Sequence, residues 1–181
     1  MISVIQKYIE EKAYVSVYTD PDNTARFIYG RILAVNDIYI VMQPLTLDGK
    51  EDGILLKLTE DVFRVDTGGE YEVKMQKLIV HANTILPDFP IENTNIIESV
   101  ILYAKQNSKV LSIELEKSGI DNIIGIVEKV EDDVVTIEVL DEYGQHDGIA
   151  HVKISSISQI SCDGENEKIV WTLNQASAHP L

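Results

Sequence analysis

The feature that most constrains this chain is a match to itself. Moving the first half forward by 95 positions lays it, without a gap, on the second. Gly30 falls on Gly125, Gly49 on Gly144 and Gly53 on Gly148. Val15 meets Val110, Val35 meets Val130, Asp37 meets Asp132, Asp52 meets Asp147, Ile54 meets Ile149, and Gly69-Glu70 meets Gly164-Glu165. Where the residues differ, as in Ile32 against Val127, Val62 against Ile157 or Val65 against Ile160, apolar stays apolar. A self-match at fixed spacing predicts two copies of one supersecondary unit. Each copy would hold roughly 75–80 residues, a size that just supports its own core. The boundaries read as 1–78 for the first unit, 79–95 for a linker, 96–173 for the second unit and 174–181 for a tail.

Within each copy the hydrophobic period changes in the same places. Ile2, Ile5 and Ile9 recur at helical spacing among Lys7, Glu10, Glu11 and Lys12, which predicts a short amphipathic helix packed on a sheet. Ile97, Val100, Ile101 and Ala104 repeat it. From Tyr14 to Tyr18 the period becomes two, so a strand begins. Asp20-Pro21-Asp22-Asn23 is a turn, Ala25 to Val35 a long strand, and Ile38 to Gln43 its partner across Asn36-Asp37. Gly30 marks a place for a bend or bulge. Asp48 to Gly53 reads as a polar hairpin loop, Ile54 to Leu58 as a strand, Thr59-Glu60-Asp61 as a single turn, and Val62 to Val65 as the last strand. Tyr71 to Leu78 and Lys168 to Leu173, with the only tryptophan, Trp171, read as extra strands. Pro87 and Pro90 mark the linker. Its Ile85, Leu86, Phe89 and Ile91 are apolar enough to lie along a domain surface.

Charge bounds the function. The chain carries a net charge of −15, which repels the polyanionic backbone of nucleic acid. Residues 1–78 carry nine basic and thirteen acidic side chains, whereas 96–173 carry six and fifteen, so the second copy is the more acidic. No apolar run approaches the ~20 residues needed to cross a bilayer. The N-terminal segment is too charged for a secretory signal core, and the single cysteine, Cys162, suits a reducing compartment. A cytoplasmic protein is expected.

A short helix followed by five strands, with the pattern Gly-x-Ile/Val-x-x-Val-x-Asp ahead of an apolar strand, resembles the Sm-like small β-barrel family. The pattern stands at Gly30 to Asp37 and again at Gly125 to Asp132, and the likeness covers Ile2 to Asp66 and Ile97 to Ser161. The resemblance implies a mainly β protein with short helices. It would hold two tandem small bent-sheet barrels, each preceded by an N-terminal α-helix. The two could pair as an intramolecular pseudo-dimer, in a chain that is a monomer or small homo-oligomer. RNA-binding members of that family carry an Asn in the strand after the aspartate and an Arg-Gly or Lys-His pair near the last strands. Here Val41 and Thr136 stand near the first position, and Lys57-Leu58 and Lys153-Ile154 near the second.

Three readings of function follow. The first is a non-enzymatic protein-interaction or assembly module. The second is RNA binding through Asp37, Lys57, Arg26, Arg31 and Tyr29, where basic residues lie among Tyr14, Tyr18, Phe27 and Tyr39. The third is an acidic inhibitor or immunity-type protein that binds a basic partner. Glu131-Asp132-Asp133 reads as a solvated turn or as a docking patch for a protein partner. Asp20-Pro21-Asp22-Asn23-Thr24 formally resembles a phosphotransferase nucleophile loop, but no alternating βαβ pattern surrounds it, so a polar turn is the better reading. His81, His146, His151 and His179 complete no zinc spacing, and Cys162 has no histidine signature beside it. No catalytic residue, metal site or cofactor is implied.

Overall fold

The spacing of Ile2, Ile5 and Ile9 produces helix α1 (Ile2–Glu10), which lays this stripe on the first sheet. The computed structural model describes residues 1–92 and 94–178, the last by its backbone alone. It divides into two compact units, Met1–Ile96 and Ile97–Leu181. No helix among the described residues is long and apolar enough to cross a membrane.

After α1 the first unit runs through β1 (Tyr14–Tyr18), β2 (Ile28–Val35), β3 (Tyr39–Pro44), β4 (Ile54–Leu58), a 3-10 turn (Thr59–Asp61), β5 (Arg64–Asp66) and helix α2 (Glu70–Ala82). The strand order is β5-β1-β2-β3-β4, antiparallel throughout. The second unit contains α3 (Ile96–Gln106), β6 (Val110–Leu115), β7 (Ile123–Glu131), β8 (Val134–Leu140), β9 (His146–Lys153), a 3-10 turn (Ile154–Ser156), β10 (Ile157–Cys162) and α4 (Glu165–Ala178). Its order is β10-β6-β7-β8-β9, antiparallel in the same way.

Within neither unit do the last two strands pair with each other among the described residues, so the expected closed barrels are open sheets. The 3-10 turn is the cause. It prevents a tight hairpin and carries the chain to the far side of the sheet, where β5 pairs with β1 and β10 with β6.

The bend falls elsewhere than at the glycine. The register slips between Ile32 and Ala34, and again between Val127 and Lys129, so the bulged residues are Leu33 and Glu128. Gly30 and Gly125 serve a different need: a Cβ on either would collide with the carbonyl oxygen of Gln43 or Glu138 on the neighbouring strand. A second slip concerns the self-match. Val15 pairs with Gly30, but it is Leu111 that pairs with Gly125, so the counterpart of Val15 in the sheet is Leu111 and not Val110.

The two segments read as extra strands, Tyr71–Leu78 and Lys168–Leu173, are helical, inside α2 and α4. Tyr71, Val73 and Met75 alternate with Glu72, Lys74 and Gln76, which mimics a strand over this short window. The buried set is instead Met75 with half-buried Tyr71, Leu78 and Ile79, spaced for a helix, and Val73 is exposed. Acidic residues in the first turn, Glu70 and Glu72 in α2, Glu165 and Glu167 in α4, suit the positive end of the helix dipole. Because α2 continues to Ala82 and ends at Asn83 in the left-handed region, the first four residues assigned to the linker are helix, and so are 174–178 of the tail.

Each sheet has two covered faces. In the first unit Val15, Val17, Ile32, Val35, Ile40, Met42 and Val62 pack with Ile2, Ile5, Tyr8 and Ile9 of α1. The other face places Tyr14, Tyr29 and Leu45 under Tyr71, Met75, Leu78 and Ile79 of α2, joined by Leu86. In the second unit the corresponding face sets Val110, Ile124, Ile126 and Leu140 against Val170 and Trp171 of α4. Gly49 (φ +84) and Gly144 (φ +74) lie under these helices; a Cβ at Gly49 would come within 2.8 Å of the Leu78 carbonyl carbon, and one at Gly144 within 2.9 Å of that of Leu173.

Candidate functional site

Helices α2 and α4 are docked by the same polar device. Glu72 and Glu167, each third in its helix, are 5% and 4% exposed. The Ser16 hydroxyl of β1 donates to Glu72 Oε1 at 2.5 Å, and the Ser112 hydroxyl of β6 donates to Glu167 Oε1 at 2.5 Å. Glu167 Oε2 accepts two more bonds, from Ser161 Oγ at 3.1 Å and from the Gly164 N–H at 3.0 Å. The latter is half of a capping box, in which the third helical residue reaches back to the N-cap backbone. In the first unit Asp66 holds the position of Ser161, and it faces Arg64 and Tyr18 instead. Its carboxyl lies below the usual range, chiefly through the Arg64 bond. The hydroxyl of Tyr18 is pushed up by burial and then by Asp66.

Of the aromatic residues expected to carry RNA binding, Tyr14, Tyr18, Phe27 and Tyr29 pack in one cluster of rings. Tyr14 and Tyr29 stack at 6.2 Å, Phe27 and Tyr29 both meet Tyr71 edge-on, and Tyr18 contacts Phe27 and Phe63. Arg64 lies over the Tyr18 ring and Lys74 over that of Tyr71. Tyr29 is 3% exposed, so no base can stack on it. Its hydroxyl has no hydrogen-bond partner among the described residues, and burial together with the neighbouring Glu72 charge pushes it up to about 12.

The remaining basic candidates are dispersed. Arg31 donates through Nε and Nη2 to Gln43 Oε1, at 3.2 and 2.7 Å, and Gln43 Nε2 donates to the Pro87 carbonyl oxygen at 2.7 Å. Arg26 lies 3.7 Å from Asp20. Asp37 is exposed in the turn between β2 and β3, and Lys57 is half-buried on β4. The structure therefore does not gather Asp37, Lys57, Arg26, Arg31 and Tyr29 into one surface.

Glu131, Asp132 and Asp133 are exposed at the turn between β7 and β8, where Asp132 takes the left-handed conformation (φ 48°) and Lys129 Nζ reaches Glu131 at 2.5 Å. Asp20 closes its own turn by accepting the Asp22 and Asn23 N–H groups, both at 3.1 Å. His146 Nδ1 is 3.2 Å from Glu138 and His151 Nδ1 is 3.0 Å from the Thr136 hydroxyl, while His81 is exposed on α2 and His179 lies outside the described residues. No group of three or more His, Cys, Asp or Glu side chains among the described residues is placed to hold a metal ion. Cys162 is fully buried and its thiol is pushed up to about 12, first by burial and then by Asp163 and Glu167.

Two polar features escaped the sequence reading. The Ser–Glu pairs carry a signal, the repeated Gly-Glu-x-Glu at 69–72 and 164–167. Gln43, buried and holding the linker, is signalled only as the one polar side chain in β3. Set against models of known families, curated proteins and solved structures, the chain matches none.

Proposed function

We propose that the chain is a non-enzymatic interaction module built from two tandem Sm-like units, derived by internal duplication, which takes a basic protein partner. The observation that carries this reading is the contrast between its two sets of charges. Tyr29 is buried and Arg31 is bound to Gln43, so two of the residues that a polyanion would need are taken up within the fold. The acidic turn Glu131-Asp132-Asp133 projects from the half with six basic and fifteen acidic side chains. Long-range attraction then favours a positive protein over a polyanion. The repeated element order and the repeated bulges support duplication as the origin.

Affinity capture from the native host tests the reading. The expected result is a basic protein retained at low salt and released at high salt, from a bait that is a monomer or dimer. Recovery of RNA with the bait, lost on nuclease treatment, would refute it, as would a stable ring of six or seven subunits.

A further inference from the structure

In the first unit the chain's own residues lie across the sheet face that carries α2. The Thr84 hydroxyl donates to the Gly49 carbonyl oxygen at 2.6 Å, Leu86 packs with Tyr29, Leu45 and Met75, and Gln43 donates to the Pro87 carbonyl oxygen. A segment without regular secondary structure is thus seated on Gln43. The register identifies the matching place in the second unit: Arg31 pairs with Gln43 across β2 and β3 as Ile126 pairs with Glu138 across β7 and β8.

The chemistry at that place is reversed. Gln43 is buried and offers N–H donors, whereas the Glu138 side chain is 38% exposed and offers only acceptors, at present facing His146. On β9, Ile149 pairs with Glu138 and is 56% exposed; Thr136 and His151 continue the same face. We propose that Ile126, Thr136, Glu138, Ile149 and His151 form the seat of an extended segment of the partner protein, carrying a lysine or arginine for Glu138. This rests on the interaction-module reading and names its surface. The first unit supplies the template, and the charge of Glu138, within an acidic half, selects a cation where Gln43 selects a carbonyl.

The test uses the full-length chain, isotope-labelled, titrated with an eight-residue peptide of alternating lysine and valine. Amide shifts are expected at Ile126, Thr136, Glu138, Ile149 and His151 and not around Gln43, and they weaken as salt rises. Glu138→Gln should weaken binding about two- to fivefold, the range for a partly exposed ion pair. Glu138→Lys should switch the preference to the glutamate–valine peptide. Equal binding of that acidic peptide by the unaltered chain, unchanged affinity in both variants, or no shifts at millimolar peptide would overturn the proposal. So would concentration-dependent shifts of the same amides without peptide, which give the face to a second copy. A host partner still captured by the Glu138→Lys chain would sink this surface while leaving the module reading intact.

Discussion

Replacing Glu167 by alanine isolates what holds α4 to its sheet. The side chain accepts from Ser112, Ser161 and Gly164, and it is almost fully buried. Removing it leaves the buried Ser112 hydroxyl and the buried Gly164 N–H without their acceptor, while Ser161, half-buried, can turn to water. An orphaned buried donor costs about 1–3 kcal/mol, so the two together predict a loss of about 2–6 kcal/mol. A unit of this size has only about 4–12 kcal/mol in all.

Glu72→Ala should cost less, about 1–3 kcal/mol, because Ser16 is the one hydrogen-bond donor to that carboxyl among the described residues. Urea unfolding followed by far-ultraviolet circular dichroism compares the two. With a slope of about 1–3 kcal/mol per molar urea, Glu167→Ala should move the midpoint by at least about 0.7 M. Trp171, the only tryptophan, packs on Val110, Leu140 and Val170, so its emission reports the undocking of α4. Adding Ser112→Ala to Glu167→Ala should recover part of the loss, since the orphaned hydroxyl goes with it. The reasoning fails if Glu167→Ala costs no more than Glu72→Ala, or if Trp171 emission is unchanged in native buffer and at every urea concentration where the secondary structure persists.

Other perturbations follow from the same geometry. Tyr29→Phe removes a buried hydroxyl that has no hydrogen-bond partner among the described residues, so stability should be unchanged or rise by about 1 kcal/mol in a thermal melt; a loss beyond 1 kcal/mol would reveal a partner. Gly144→Ala should destabilise by more than Gly148→Ala: both have positive φ, but a Cβ at Gly144 meets the α4 backbone and one at Gly148 meets open space. Cys162 should resist a thiol reagent at pH 8 in the native chain and react once in urea. Because its folded value, about 12, is above the 9.0 of an ordinary thiol, the unfolded chain loses its proton first, so stability should fall as pH rises through that interval. The Asp121 carboxyl, exposed on the surface, is pushed up by partial desolvation and then by Glu114. The folded state holds that proton more tightly, its contribution is lost as pH rises through the folded value, and Asp121→Asn should remove that slope from the acid limb of a stability–pH curve.

The self-match made the order of elements legible, because glycines and apolar strand positions keep their spacing wherever the backbone demands it. It hid the shared serines for an equally physical reason. At a shift of 95, Ser16 falls on Leu111, whereas the sheet aligns it with Ser112. Helix α2 reads as a strand because Tyr71-Glu72-Val73-Lys74-Met75 alternates over a window too short to distinguish a period of 2 from 3.6, and α4 inherits that reading as its mate 95 residues on. The Gly-Glu-x-Glu opening was the better guide, since carboxylates at a helix start satisfy free N–H groups. The aromatic cluster shows the limit of composition: Tyr29 among Arg26 and Arg31 reads as a stacking platform, but burial under α2 decides otherwise.

The two units share strand order, bulges and helix docking, so their differences bear on function more than their likeness does. Position by position, the packing under the second helix loses its aromatic rings: Tyr29 gives way to Ile124, Phe27 to Asn122 and Tyr71 to Asn166. Gln43, which binds the chain's own carbonyl, gives way to Glu138. A fold keeping its scaffold while reversing the hydrogen-bonding sense of one position has altered what it can seat there, since a carboxylate and a carbonyl repel where an amide and a carbonyl bond. Gln43→Glu should therefore free the linker: Pro87 loses its donor, two acceptors face each other, and Leu86 is released from the Tyr29 cluster. Limited proteolysis reads this as new cleavage between residues 83 and 92. The argument fails if the variant is as resistant as the unaltered chain while circular dichroism shows both folded.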